Sequence, residues 1–135
     1  MLLKKTFLMI ILLSFWGCCN NDFYFDIENQ TIVSCCDKPI LNIRIKGVDN
    51  SLRYSIRWNT KVSNGKNPPN RISFNHINEG YEIFSMNKKV ENKEFKLLPK
   101  SKYEIKRYQG DTPSVKIFIT TNEFSEVLES SNVSC

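Results

Sequence analysis

The chain has 135 residues, enough for one domain with its own core. Its 19 basic and 14 acidic residues leave a formal charge of +5, a mild excess that falls short of a nucleic-acid-binding balance. With one histidine and no Cys-x-x-Cys among its five cysteines, the composition offers no zinc site. Its five glycines form no phosphate-cradling run.

The first nineteen residues, MLLKKTFLMIILLSFWGCC, carry Lys4 and Lys5, an unbroken apolar run from Phe7 to Leu13, and Gly17 before paired cysteines. A charged start, a short apolar middle and a small residue at the end are the build of a secretory leader. The apolar part is far shorter than the roughly 20 residues a membrane-spanning helix needs. The pair Gly17-Cys18 resembles the end of the lipobox of bacterial lipoproteins, although Phe15 and Trp16 stand where that family favours Leu and a small residue. The family cuts before the cysteine, lipidates its sulfur and acylates the new amine. The resemblance implies that residues 1–17 are a signal peptide, that Cys18 carries lipid (palmitate included), and that 18–22 tether a domain spanning 23–135. It also implies the cell envelope: the outer membrane rather than the inner, because Cys19 and not Asp follows Cys18, with the domain facing the periplasm. An ordinary cleaved leader would instead leave Cys18 and Cys19 in a secreted chain.

Removal of Lys4 and Lys5 with the leader lowers the charge to +3. With Cys18 lipidated, Cys19, Cys35, Cys36 and Cys135 remain, an even number in an oxidising compartment. If Cys35 and Cys36 sit on a strand, their side chains point to opposite faces. One then faces the core while the other reaches Cys135 or Cys19. A bond from Cys35 or Cys36 to Cys135 would tie the C-terminus to the first sheet.

Further along, Phe23–Ile27 and Thr31–Val33 read as short strands around a polar break at Glu28–Gln30. Pro39 suits the start of a strand. Alternation then becomes strict. Leu41, Ile43 and Ile45 alternate with Asn42, Arg44 and Lys46; after a turn at Gly47–Ser51, Tyr54, Ile56 and Trp58 alternate with Arg53, Ser55, Arg57 and Asn59. This is the pattern of two half-buried antiparallel strands, most simply a hairpin. Val62–Asn70 is the longest break. Arg71–Phe74 and Tyr81–Met86 read as strands around Asn78-Glu79-Gly80, and Asn87–Glu94 as a loop. Glu123–Glu129 fits a helix or a final strand equally, with Phe124, Val127 and Leu128 at i, i+3 and i+4.

The segment Leu97-x-Pro99-x-Ser101-x-Tyr103 has the spacing of the tyrosine corner in fibronectin type III domains. The resemblance covers about 25 residues, Phe95–Thr121, and implies structural roles for Leu97, Pro99 and Tyr103, the tyrosine hydroxyl bonding back across the turn between two sheets. The strands Lys102–Tyr108 and Ser114–Thr121, joined by Gly110-Asp111-Thr112-Pro113, fit the last pair of such a sandwich. Trp58 falls where immunoglobulin-like folds often place theirs. The expectation is an all-β, Ig-like or fibronectin III-like antiparallel sandwich of about seven or eight strands.

No catalytic constellation is legible. His76 has no flanking carboxylate nearer than Glu79, and no paired carboxylates or Gly-x-Ser-x-Gly occur. The chain reads as no enzyme, with no cofactor and no metal. Arg44, Lys46, Arg53 and Arg57 share the polar phase of the two best strands, with Lys116 near them. They form either a solvated face guarding against aggregation or a docking face for an acidic protein. Tyr54 and Trp58 lie on the opposite phase, so no stacking platform for nucleic acid is evident. The build is similar to small immunity lipoproteins that protect bacteria against contact-delivered toxins, which implies a protein-binding module on the membrane. The competing expectation is a structural or assembly component of the envelope.

Overall fold

The computed structural model describes residues 22–109 and 112–135. The leader, Cys18, Cys19, most of the tether and the tip residues Gly110-Asp111 lie outside the described residues.

Ten strands follow one another: β1 (Phe23–Asp26), β2 (Thr31–Ser34), β3 (Asn42–Gly47), β4 (Arg53–Trp58), β5 (Arg71–Ser73), β6 (Tyr81–Ser85), β7 (Lys88–Val90), β8 (Lys102–Gln109), β9 (Thr112–Thr121) and β10 (Val127–Ser130). They form an antiparallel sandwich of a three-stranded sheet, β1-β2-β5, and a seven-stranded sheet, β10-β9-β8-β3-β4-β6-β7. The fold class is the one the alternation demands, with ten strands in place of seven or eight. Of the eighteen side chains in the core cluster, eleven are isoleucine. Branching at Cβ restricts their rotamers already, so they pack on a pleated surface at small entropic cost.

The β3–β4 hairpin forms in the expected phase: Ile43 opposes Ile56 and Ile45 opposes Tyr54, all four buried. Leu41 departs from it. It lies one residue before β3 and is 42% exposed, because the inward phase begins only where the ladder does. Trp58 packs edge-on to Tyr81 with ring centroids 4.9 Å apart. Its ring closes over Gly80, where φ is +101° and an added Cβ would lie 2.6 Å from the indole.

Arg71–Phe74 and Tyr81–Met86 both hold strands, in different sheets: β5 joins β2 in the small sheet, whereas β6 joins β4 in the large one. Two local expectations are corrected. The stretch Asn87–Glu94 is not all loop, since it holds β7 and a single 3₁₀ turn at Asn92–Glu94. The β6–β7 hairpin turns on Met86 and Asn87, both at positive φ. Such turns are ordinarily signalled by Asn-Gly or Asp-Gly, and here the signal is missing. Cys35 and Cys36 sit on no strand. They occupy a 3₁₀ turn, Cys35–Asp37, in which Cys36 takes φ +57°. The ambiguity at Glu123–Glu129 resolves to a turn followed by β10.

Several contacts hold the two sheets together. An aromatic chain crosses between them, Phe25 to Phe74 to Phe95 to Tyr54, with successive centroids 5.1, 5.3 and 4.8 Å apart. Gln30 exchanges two hydrogen bonds with the backbone of Val127, at 2.7 and 2.9 Å. Past β10 the chain leaves the large sheet and covers the open edge of β1, where Phe25 N donates to Asn132 O and Asn132 Nδ2 to Phe23 O. Cys135 then bonds to Cys35, Cα–Cα 5.8 Å. At the opposite end, Tyr103 is fully buried and its hydroxyl accepts from Leu98 N at 2.8 Å. Leu97 is buried beside it, and Pro99 O accepts from Ser101 Oγ.

The largest fully buried side chain is Arg107. Alternation along β8 puts it in phase with Tyr103 and Ile105, facing Val115 and Ile43 on the neighbouring strands. Its guanidinium donates to Ser34 Oγ (2.7 Å), Pro39 O (3.0 Å) and Asp22 O (3.2 Å). Burial lowers its pKa, opposed by nearby Tyr81 and Asp22. Tyr81 is pushed well above the usual tyrosine range by the same burial, and its hydroxyl donates to Ile40 O at 2.7 Å.

Two outcomes test this account. Arg107→Ala should lower the unfolding free energy by about 3 kcal/mol, combining a cavity with three orphaned acceptors, as read from the urea midpoint. Reduction of Cys35–Cys135, which spans a sequence separation of 100, should cost up to about 4.7 kcal/mol. Cys135→Ser should then remove most of the effect of reductant on stability.

Candidate functional site

The outward phase of the large sheet concentrates positive charge. Strand register sets which cations meet. Lys116 on β9 opposes Lys106 on β8, and Lys106 opposes Arg44 on β3. One level along the strands, Lys46 opposes Arg53. At the level on the other side of Arg44, Asn42 opposes Arg57. Like charges directly opposite one another destabilise a sheet. Arg44, Lys46, Arg53 and Arg57, the four residues singled out from alternation, therefore do share one face, and Lys116 joins them in the row through Lys106. Their placement costs stability.

Local carboxylates do not neutralise them. Among the described residues the ion pairs are Lys89–Glu82 and Lys93–Glu91, and neither includes a cation of these rows. Glu82 lies across from Arg57 in the β4–β6 ladder. It is engaged instead by Lys89 and by Asn59 Nδ2. Glu104 lies beside Lys46 in the row it shares with Arg53, with no salt bridge between them.

Aromatic rings lie against five cations of this face, though not against Lys46 or Arg53. The Arg44 guanidinium lies 4.5 Å from the centroid of Tyr108, and Lys106 Nζ lies 5.1 Å from the same ring. Arg57 lies 5.2 Å from the ring of Phe84, and its Nε donates to Ser55 Oγ at 3.1 Å. Lys102 and Lys116 share Phe118, at 5.2 and 6.0 Å. These contacts restrict side chains that would otherwise sample many rotamers.

Over these rows lies an open groove of about 710 Å³. β3 and β4 form its middle, with β8 on one flank and β6 on the other. Its lining mixes the cations with Tyr108, Phe84, Met86 and three serine and asparagine side chains.

Sequence reasoning missed half of this. Tyr54 and Trp58 do point inward, yet Phe84, Tyr108 and Phe118 lie on the outward phase beside the cations. The alternation of each strand carried that signal, since Tyr108 is in phase with Lys106, and Phe118 with Lys116. What it lacked was the strand order that brings β8 and β9 beside β3.

Elsewhere the chemistry is structural. Cys35 is buried and joined to Cys135, which excludes a ring between Cys35 and Cys36. Cys36 is itself disulfide-bonded. His76 is exposed in the segment between β5 and β6. Among the described residues no cluster of three or more metal-binding side chains forms, and no helix is long and apolar enough to cross a membrane. Comparison with known families, curated proteins and solved structures finds no match to the chain.

The crowding of like charge is directly measurable. Lys106→Glu would stand between Lys116 and Arg44 and should stabilise the fold by about 0.5 kcal/mol at low salt. In chemical denaturation the gain should shrink toward zero as salt approaches about 1 M.

Proposed function

We propose that this chain is a lipid-anchored protein of the bacterial envelope that binds an acidic protein partner on the basic face of its large sheet, without catalysis. The observation that carries the reading is the set of opposed cations, Lys116–Lys106–Arg44 and Lys46–Arg53, none of them in an ion pair among the described residues, with Arg44 and Lys106 against the ring of Tyr108 and Lys116 near that of Phe118. A sheet that tolerates such repulsion recovers the cost when an acidic surface covers it. Arginine contributes most, because its forked donors grip carboxylates in pairs. A small domain that neutralises another protein by charge complementarity suits an immunity or inhibitor role against a contact-delivered toxin.

The anchor half of the reading rests on Gly17-Cys18, whose place after a short apolar run assigns the lipid to Cys18. A single acyl chain holds only marginally, at roughly 0.8 kcal/mol per buried CH₂, so durable anchoring needs the multiple chains of a lipoprotein.

Each half has its own test. Cys18→Ser should abolish metabolic labelling with palmitate and leave uncleaved precursor; normal maturation of the variant would remove the anchor. Arg53→Glu combined with Arg57→Glu should change folding stability by no more than about 0.5 kcal/mol. The double variant should lose capture of the envelope or toxin partner, and wild-type capture should fall with salt. A partner that survives both charge reversal and high salt would remove the basic face from the proposal.

A further inference from the structure

We infer that the groove takes an extended acidic segment of its partner, with carboxylates on alternate residues, laid along β3 and β4. The inference rests on the basic-face reading above and adds the conformation and register of the occupant. The middle of the groove presents three successive levels along the strands. The first holds Arg57 opposite Asn42, the second Arg44 opposite Ser55, and the third Lys46 opposite Arg53. Every level thus carries at least one cation, and levels repeat every two residues, about 6.6–6.8 Å. An extended polypeptide projects alternate side chains from one side at that same interval, so three carboxylates of a five-residue Glu-x-Glu-x-Glu segment meet three levels.

The flanks confine such a segment to the middle strands. On the β8 side the third level ends in Glu104, which repels a carboxylate straying from Lys46. On the same side Tyr108 braces Arg44 at the second level, and on the β6 side Phe84 braces Arg57 at the first. Both guanidiniums are thereby held before the ligand arrives, which reduces the ordering cost of binding. Tyr108 and Phe84 act as positioning residues, through the arginines they support.

The test titrates the full-length chain, purified in detergent, with two blocked heptapeptides of equal composition: Glu-Thr-Glu-Thr-Glu-Thr-Glu and Glu-Glu-Glu-Glu-Thr-Thr-Thr. The alternating peptide should bind about tenfold tighter, a difference of one level's worth of contact. Tyr108→Leu and Phe84→Leu should each erase most of that preference, whereas Tyr108→Phe should retain it. Glu104→Gln should narrow the preference by admitting misplaced carboxylates. Equal affinity for the two peptides would overturn the inference, and so would inorganic polyphosphate binding more tightly than the alternating peptide at equal charge. Equal affinity together with partner capture still lost in the Arg53→Glu, Arg57→Glu variant would sink the register alone and keep the basic face. Capture unaffected by that charge reversal would sink the underlying reading.

Discussion

A buried guanidinium organises the corner at which both ends of the domain meet. Arg107 projects from the large sheet into the core and finds its acceptors on Ser34 of the small sheet, on Pro39 in the crossover, and on Asp22 at the start of the domain. An isolated buried cation would be costly, and these hydrogen bonds offset its lost hydration. The acceptors must therefore stay where they are. Asp22 O also accepts from Cys35 N, so the start of β1 and the turn after β2 are held at one point. The Cys35–Cys135 bond brings the C-terminus to the same turn.

That corner gives the domain a polarity. Asp22, the end of the chain and both cysteines of the turn lie at one pole, where β3 begins and β8 ends. The tyrosine corner and the β3–β4 and β6–β7 turns lie at the other. The basic groove runs between the two poles, lined by Arg57 and Tyr108 toward the first and by Ser51, Met86 and Asn87 toward the second.

The two faces of the large sheet differ in kind. Inward, the levels are largely apolar apart from Arg107, with isoleucine against isoleucine at several of them. Outward, Lys116, Lys106 and Arg44 share one level, and Lys46 and Arg53 another beside Glu104, so like charges face each other at a cost. Here the rings of Phe84, Tyr108 and Phe118 lie against Arg57, Arg44, Lys106, Lys102 and Lys116, and among the described residues no carboxylate forms an ion pair with them.

Alternation with period two made much of this legible without coordinates. It identified β3 and β4, their pairing and the inward and outward sets, because one face of each strand is buried and the other wet, and register cannot slip without exchanging them. The Leu97–Tyr103 spacing likewise marked the turn that Tyr103 closes, a local motif whose partners lie within a few residues. Other features depended on contacts distant in sequence. Strand order placed Lys106, Tyr108 and Phe118 beside Arg44, and no local pattern encodes which strand neighbours which. Nothing in the sequence singled out Arg107, whose acceptors lie 68 to 85 residues away. The choice of Cys35 over Cys36 for Cys135 was decided by a left-handed residue in a turn, where alternation does not apply. The sequence by itself determined the inward and outward sets of β3 and β4, Leu41 apart, since alternation is a property of single strands. Only the tertiary structure decided which strands share a face, and so how its charges and rings combine, because that depends on pairing energies summed over the whole sandwich.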